Sequence, residues 1–232
     1  MKPLYRDRKK KRKKNVHLVA HYNSISPITE QYRLIRNNLC FSSVDKQIKS
    51  IVITSPEKGD GKSTTAANLA VVLAQQGKKV LLVDTDLRKP SVHYAFHVSN
   101  MIGLTDVLTR KIELDRAIMK TYIPNLDILT CGTIPPNPSE LLNSKTMEYV
   151  MGGLSLNYDF VVYDTPPILV VTDSQIMANK CDGVVLVVAS GKTTKDQALK
   201  AKELLEKANS NLLGVVVNGV ENKKGIYYGQ YS

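Results

Sequence analysis

Cysteine is scarce in these 232 residues: Cys40, Cys131 and Cys181 form no CxxC pair and stand at no metal-ligand spacing from the four histidines. That excludes a disulfide scaffold and a zinc site, and leaves three small core-type residues in a reducing compartment. Long apolar runs are missing too. Stretches such as Gly183 to Ala189 fall far short of the ~20 residues that cross a bilayer. The charged N-terminus leads into no apolar segment, so it does not read as a signal peptide. A soluble, cytoplasmic protein is expected. Acid is in deficit as well, with 21 Asp and Glu against 32 Lys and Arg, a net charge of +11. The deficit is local: Met1 to Asn15 carries nine bases and one acid, Asp7, and so eight of the eleven net charges. Such a block repels itself and stays unfolded until it meets a polyanion, either an anionic membrane surface or nucleic acid phosphates, or it is simply a solvated tail. No aromatic interleaving or base-reading module accompanies it, so nucleic acid is the weakest of the three.

What is present is a phosphate-binding signal. In IVITSPEKGDGKS (51–63) a β-branched run breaks into a glycine-bearing loop that ends Gly61-Lys62-Ser63 and opens a helix. Backbone N–H groups and the positive end of a helix dipole converge at such a loop, and Lys62 adds a full charge beside the β/γ-phosphates. Ser63 is placed to hold Mg²⁺ through its hydroxyl. Pro56 stands where GxxxxGK[ST] has its first glycine, so the loop is a variant. A helix follows over 64–76 and stops at Gly77. KKVLLVDTDLRKP then reads as a buried strand delivering Asp84 and Asp86 at its carboxyl end, and FVVYDTPP as another delivering Asp164. In an open parallel sheet those ends face one crevice. Lys62, Ser63, Asp84, Asp86 and Asp164 therefore meet around one Mg-nucleotide, with Gly59, Asp60, Gly61, Thr64, Arg88 and Asn218 as further nucleotide-binding candidates.

The remaining chain alternates β and α. Short helices are expected at 103–111 and 114–120, a strand at 126–132, a proline-punctuated loop capping a helix at Ser139, and a helix from Asp173 to Asn179 capped by Thr172. A strand at 183–189, a helix at 193–208 and a strand at 212–220 complete an α/β fold: a doubly wound, mostly parallel, three-layer sheet of the P-loop NTPase kind. Residues 1–20 are assigned to the basic tail, 21–220 to the domain and 221–232 to a loose C-terminal tail. That tail has Tyr227, Tyr228 and Tyr231 in its last six residues. A phenol can accept a phosphoryl group when a carboxylate takes its proton. A triphosphate site and an accessible tyrosine cluster on one chain suggest self-phosphorylation. Near the other end, Glu30, Arg33 and Arg36 repeat every three residues along a helix that starts at Ser26, with Tyr32, Ile35 and Leu39 on its apolar side.

Taken in order, SPEKGDGKS, VLLVDTDLR, FVVYDTPP, EQYRLIR and YYGQY resemble the Walker motifs, oligomerisation helix and terminal tyrosine cluster of the bacterial protein-tyrosine kinases of capsule and exopolysaccharide systems, over nearly the whole chain. The resemblance implies a kinase using ATP and Mg²⁺, with Ser63, Asp86 and Asp164 at the metal. It implies phosphorylation of Tyr227, Tyr228 and Tyr231 and of other protein substrates on tyrosine, activation by a separate transmembrane adaptor, and location at the inner face of the plasma membrane. It also implies homo-oligomeric rings, with Glu30, Arg33 and Arg36 at the interface and one subunit's tail in its neighbour's site. Asp84 is the candidate proton acceptor, but Asp84 and Asp86 leave one strand end and their roles are interchangeable at this stage. Arg88 is equally readable as an ordinary ion pair, and Asn218 as a turn residue before Gly219. Two other functions fit the motifs: a partition or positioning ATPase, and a nucleotide-binding assembly adaptor without kinase activity. The ATPase class needs a second lysine five residues before Lys62, where Glu57 stands.

Overall fold

Apolar strands that are covered on both faces need no alternation of polar and apolar residues, and the runs 51–53, 80–83 and 184–187 show none and are buried throughout. The computed structural model describes residues 16–41 and 48–220. In chain order its elements are α1 (Val19–Tyr22), α2 (Pro27–Phe41), β1 (Ser50–Thr54), α3 (Lys62–Ala74), β2 (Val80–Asp84), α4 (Val92–Phe96), α5 (Leu104–Leu108) and α6 (Leu114–Ala117). Then follow β3 (Met119–Lys120), β4 (Leu126–Leu129), α7 (Pro138–Leu142), α8 (Lys145–Asn157), β5 (Phe160–Asp164), α9 (Asp173–Lys180), β6 (Gly183–Ala189), α10 (Lys195–Lys207) and β7 (Leu212–Asn218). The strands form one sheet in the order β3-β4-β2-β5-β1-β6-β7. All neighbours run parallel except β3 against β4. The expected doubly wound, mostly parallel architecture is the one observed.

Strand side chains alternate between two cores. Ile51, Ile53, Leu82, Val162 and Val185 face α2, α3 and α4, whereas Val52, Leu81, Val83, Val161 and Leu186 face α8, α9 and α10. Helix α3 lies deepest, with every residue from Ala66 to Ala74 essentially inaccessible. It is covered by α1 and α2, and it is apolar all round for that reason.

Several expected boundaries move. The helix placed at 114–120 ends at Ala117; Ile118 turns extended and Met119–Lys120 pair with β4 as an antiparallel edge. Asn137 rather than Ser139 precedes α7, because Pro138 takes the first helical position, where its missing N–H costs nothing. Thr172 sits before α9 with helical backbone angles and no side-chain cap bond. The expected basic tail, residues 1–20, includes residues that pack: Leu18 and Ala20 are buried, and the Asn68 side chain accepts from Ala20 N at 2.9 Å while donating to His17 O at 2.7 Å. The chain thus joins the core by residue 17, where apolar residues replace the lysines. Met1 to Asn15 and Tyr227, Tyr228 and Tyr231 lie outside the described residues.

Candidate nucleotide and phosphoryl-transfer site

The register of the sheet builds the site. Asp84 ends β2 and Asp164 ends β5 as direct neighbours, and Ile53, one residue from the end of β1, pairs with Asp164 on the other side. The loop that leaves β1 returns as α3, and it turns through Gly59 and Gly61, at φ +85° and +102°, left-handed angles that L side chains rarely adopt. A Cβ at Gly61 would stand 2.0 Å from Asn218 Nδ2. Together these elements wall a cleft of about 470 Å³ whose lining includes Gly59, Gly61, Lys62, Ser63, Thr64, Asp86, Arg88 and Asn218. Eight of the predicted site residues therefore share one cavity.

At its floor Lys62 Nζ lies 3.1 Å from Asp86 Oδ2, 3.2 Å from Ser63 Oγ and 3.4 Å from Oδ1 of Asp164, which is fully buried behind the lining. The ammonium thus marks a cation position bounded by the three residues predicted to hold the metal. Burial by itself would pull the Lys62 ammonium down, but Asp164, Asp86 and Asp84 outweigh it and hold it above the ordinary lysine range. Asp164 is raised by its burial, against the opposing pull of Lys62 and the Ser63 hydroxyl. Its Oδ2 is fully buried and has no hydrogen-bond partner among the described residues. A buried carboxylate oxygen without a donor is a suitable ligand for a hard cation. Among the described residues no three His, Cys, Asp or Glu side chains form a metal cage. Mg²⁺ does not need one, since it keeps several waters and uses one or two carboxylates plus substrate phosphates. The residues fit Mg²⁺.

Two predicted residues are close by but turned away. Asp84 accepts from the N–H groups of Ser91 (2.9 Å), Val92 (3.0 Å) and Asp86 (3.2 Å), and it does not line the cleft. Burial and then Asp164 push its carboxyl up to about 7, against those donors and Lys62. Asp60 is fully buried inside the loop, where Oδ2 accepts from Glu57 N and Oδ1 from Lys192 Nζ. Arg88 lines the cleft and also makes a two-pronged ion pair with buried Asp173, at 2.9 and 3.2 Å. The Asn218 side-chain amide donates to Asp60 O at 3.0 Å, and Gly219 after it turns at φ +70°.

The sequence reasoning missed Lys192, Asp173 and Ser139, whose hydroxyl donates to Asp173 at 2.6 Å, and also Lys58, Lys89, Pro166 and Pro167 in the cleft wall. Lys192 had one usable signal, its place just past the carboxyl end of a parallel strand. On α2, Glu30 and Arg33 pair with each other. Arg36 turns inward, donating to Val72 O on α3 at 3.1 Å and to Asn37 Oδ1.

The AAA domain family AAA_31 matches residues 48–213. The chain is 52% identical over 228 residues to tyrosine-protein kinase YwqD of Bacillus subtilis (strain 168), covering 98% of this chain and 95% of that protein. The chimerical protein CapA2B2 superposes with a TM-score of 0.84 at 47% identity, over 86% of this chain and 88% of that one. The kinase domain of Escherichia coli tyrosine kinase ETK does so with a TM-score of 0.87 at 33% identity, over 96% and 88%. With the variant phosphate loop, the acidic strand ends and these likenesses in one chain, it belongs to the bacterial tyrosine-protein kinases, enzymes built on a P-loop nucleotide-binding domain.

Proposed function

We propose that this chain transfers the γ-phosphoryl of ATP in line to tyrosine hydroxyls, above all those of Tyr227, Tyr228 and Tyr231 on another copy, and that it governs capsule or exopolysaccharide synthesis. The observation that carries this reading is the convergence of Ser63, Asp86 and Asp164 on Lys62 Nζ under the phosphate loop. In this scheme Lys62 and the N–H groups from Gly59 to Ser63 hold the phosphate oxygens, where preorganised donors in a shielded cleft act most strongly. Ser63, Asp86 and Asp164 would hold Mg²⁺, which would supply positive charge against that building on the phosphates. The phenolic oxygen forms its bond to phosphorus as the bond to the ADP oxygen breaks, and Asp84 receives the phenolic proton once its carboxylate leaves the N–H groups of Ser91 and Val92 and turns toward the cleft. Arg88, fixed by Asp173, orients one wall of the cleft. Glu30, Arg33 and Arg36 form a subunit contact in a ring, and the basic N-terminus meets an anionic inner leaflet beside a transmembrane adaptor. Among the described residues no helix is long and apolar enough to cross a membrane.

The test is purified chain with γ-labelled ATP and Mg²⁺, with and without a peptide from the adaptor's cytoplasmic end. Label on Tyr227, Tyr228 or Tyr231 supports the kinase. Released phosphate alone would favour a positioning-type ATPase, and neither product would favour an assembly adaptor. Mixing a Lys62→Met acceptor with a donor whose three tail tyrosines are Phe labels the acceptor only if transfer crosses between copies. Asp84→Asn is expected to bind Mg-ATP and lose transfer, whereas Asp86→Asn is expected to lose Mg²⁺-dependent binding; the reverse pattern would exchange their roles.

A further inference from the structure

A phosphate loop works only if its N–H groups are already aimed, and this one contains a problem it cannot solve alone. Asp60, between two left-handed glycines, has no accessible surface, and a buried carboxylate is costly unless a cation and donors satisfy it. Glu57 N–H satisfies one oxygen at 2.9 Å. The other is taken at 2.5 Å by Lys192, whose ammonium also donates to Lys58 O at 2.6 Å. Lys192 is 132 residues away in sequence. It stands on the turn after β6, which is fastened by Thr193 N and Lys192 N to Ala189 O and by Ala189 N to Thr193 Oγ1. It does not line the cleft.

From this arrangement we infer that Lys192 is a positioning residue for nucleotide binding: a charged strut that fixes residues 57–60 from outside and so sets the aim of the loop's N–H groups without touching phosphate. The inference rests on the nucleotide reading of the cleft. It predicts a particular kinetic signature, because a loosened loop loses preorganised binding while Lys62, Ser63 and the acidic residues stay in place.

The experiment titrates a fluorescent ADP analogue with Mg²⁺ into the wild type and the variants Lys192→Met, Lys192→Arg, Asp60→Asn and Lys192→Met/Asp60→Asn, and measures kcat and KM for ATP alongside. Lys192→Met is expected to raise Kd and KM about tenfold with kcat changed much less, and Lys192→Arg to recover most of the loss because it keeps charge and donors. The double variant should bind no more weakly than the weaker single one, since both remove one contact. Should Lys192→Met not fold, Lys192→Gln, which keeps a donor without the charge, carries the same comparison with Arg. Wild-type affinity in Lys192→Met, or losses that multiply in the double variant, would overturn the inference. Wild type that binds no analogue would instead overturn the nucleotide reading, and Lys62→Met marks that limit.

Discussion

Lys62 is nearly buried against two carboxylates, so its loss leaves like charges facing each other in a low-dielectric floor. Lys62→Met is expected to lower stability by about 3 kcal/mol, the usual scale for removing one member of a buried ion pair, measured by urea unfolding without nucleotide. Mg-ADP should then fail to restore it, although a hundredfold excess over Kd stabilises a binding-competent protein by about 2.7 kcal/mol. The same contacts make metal and triphosphate interdependent. A phosphate that draws the ammonium upward strips Asp86 and Asp164 of their counter-charge unless a divalent cation replaces it. ATP with a chelator is therefore expected to bind far more weakly than Mg-ATP in a calorimetric titration, and equal affinity would contradict this account. Of the residues involved, those inside one motif were legible: Lys62 and Ser63 from the loop, Asp84, Asp86 and Asp164 from strand ends. The partners of Asp60 and Arg88 were not, because Lys192 and Asp173 are brought to them by the sheet over 132 and 85 residues, a separation no local spacing encodes.

Among the elements, α3 carries the deepest burial, and α2, which covers it, holds the three spaced residues. Leu69 is fully buried in α3, so Leu69→Ala is expected to cost about 2–4 kcal/mol in chemical unfolding through the cavity it opens. On α2 the three spaced residues are not equivalent. Glu30 is exposed and pairs with Arg33 along its own helix, whereas Arg36 reaches the carbonyl of Val72. If α2 is a subunit contact, Glu30→Ala should shift the mass seen by light scattering while leaving the melting temperature in place, and Arg36→Ala should move both. The five long strands were readable because each is a continuous apolar run bounded by turn residues. Helix α8 went unseen because Gly152 and Gly153 interrupt its pattern, even though Ser144 caps it, accepting from Met147 N at 3.2 Å. The two-residue β3 was invisible for another reason: an edge pair that short has no periodicity of its own.

For the whole molecule, charge and connectivity decide where it can act. Eight of eleven net charges precede residue 16, and each base near an anionic surface contributes ~1 kcal/mol. Sedimentation with anionic vesicles is expected to fade at high ionic strength and to vanish when residues 1–15 are deleted; binding that survives either change refutes an electrostatic anchor. At the opposite end, β7 finishes at Asn218 in the wall of the cleft. Tyr227 is nine residues farther on and Tyr231 thirteen. Fully extended, those tethers span no more than about 30 and 45 Å. That arithmetic is an upper limit on the distance from Asn218 to Tyr227 and Tyr231, and the limit admits the chain's own cleft as well as a neighbour's. Which destination prevails is a contest between local concentration and subunit encounter, and dilution decides it: labelling per molecule that slows as the protein is thinned belongs to the neighbour, and labelling indifferent to dilution belongs to the chain's own cleft.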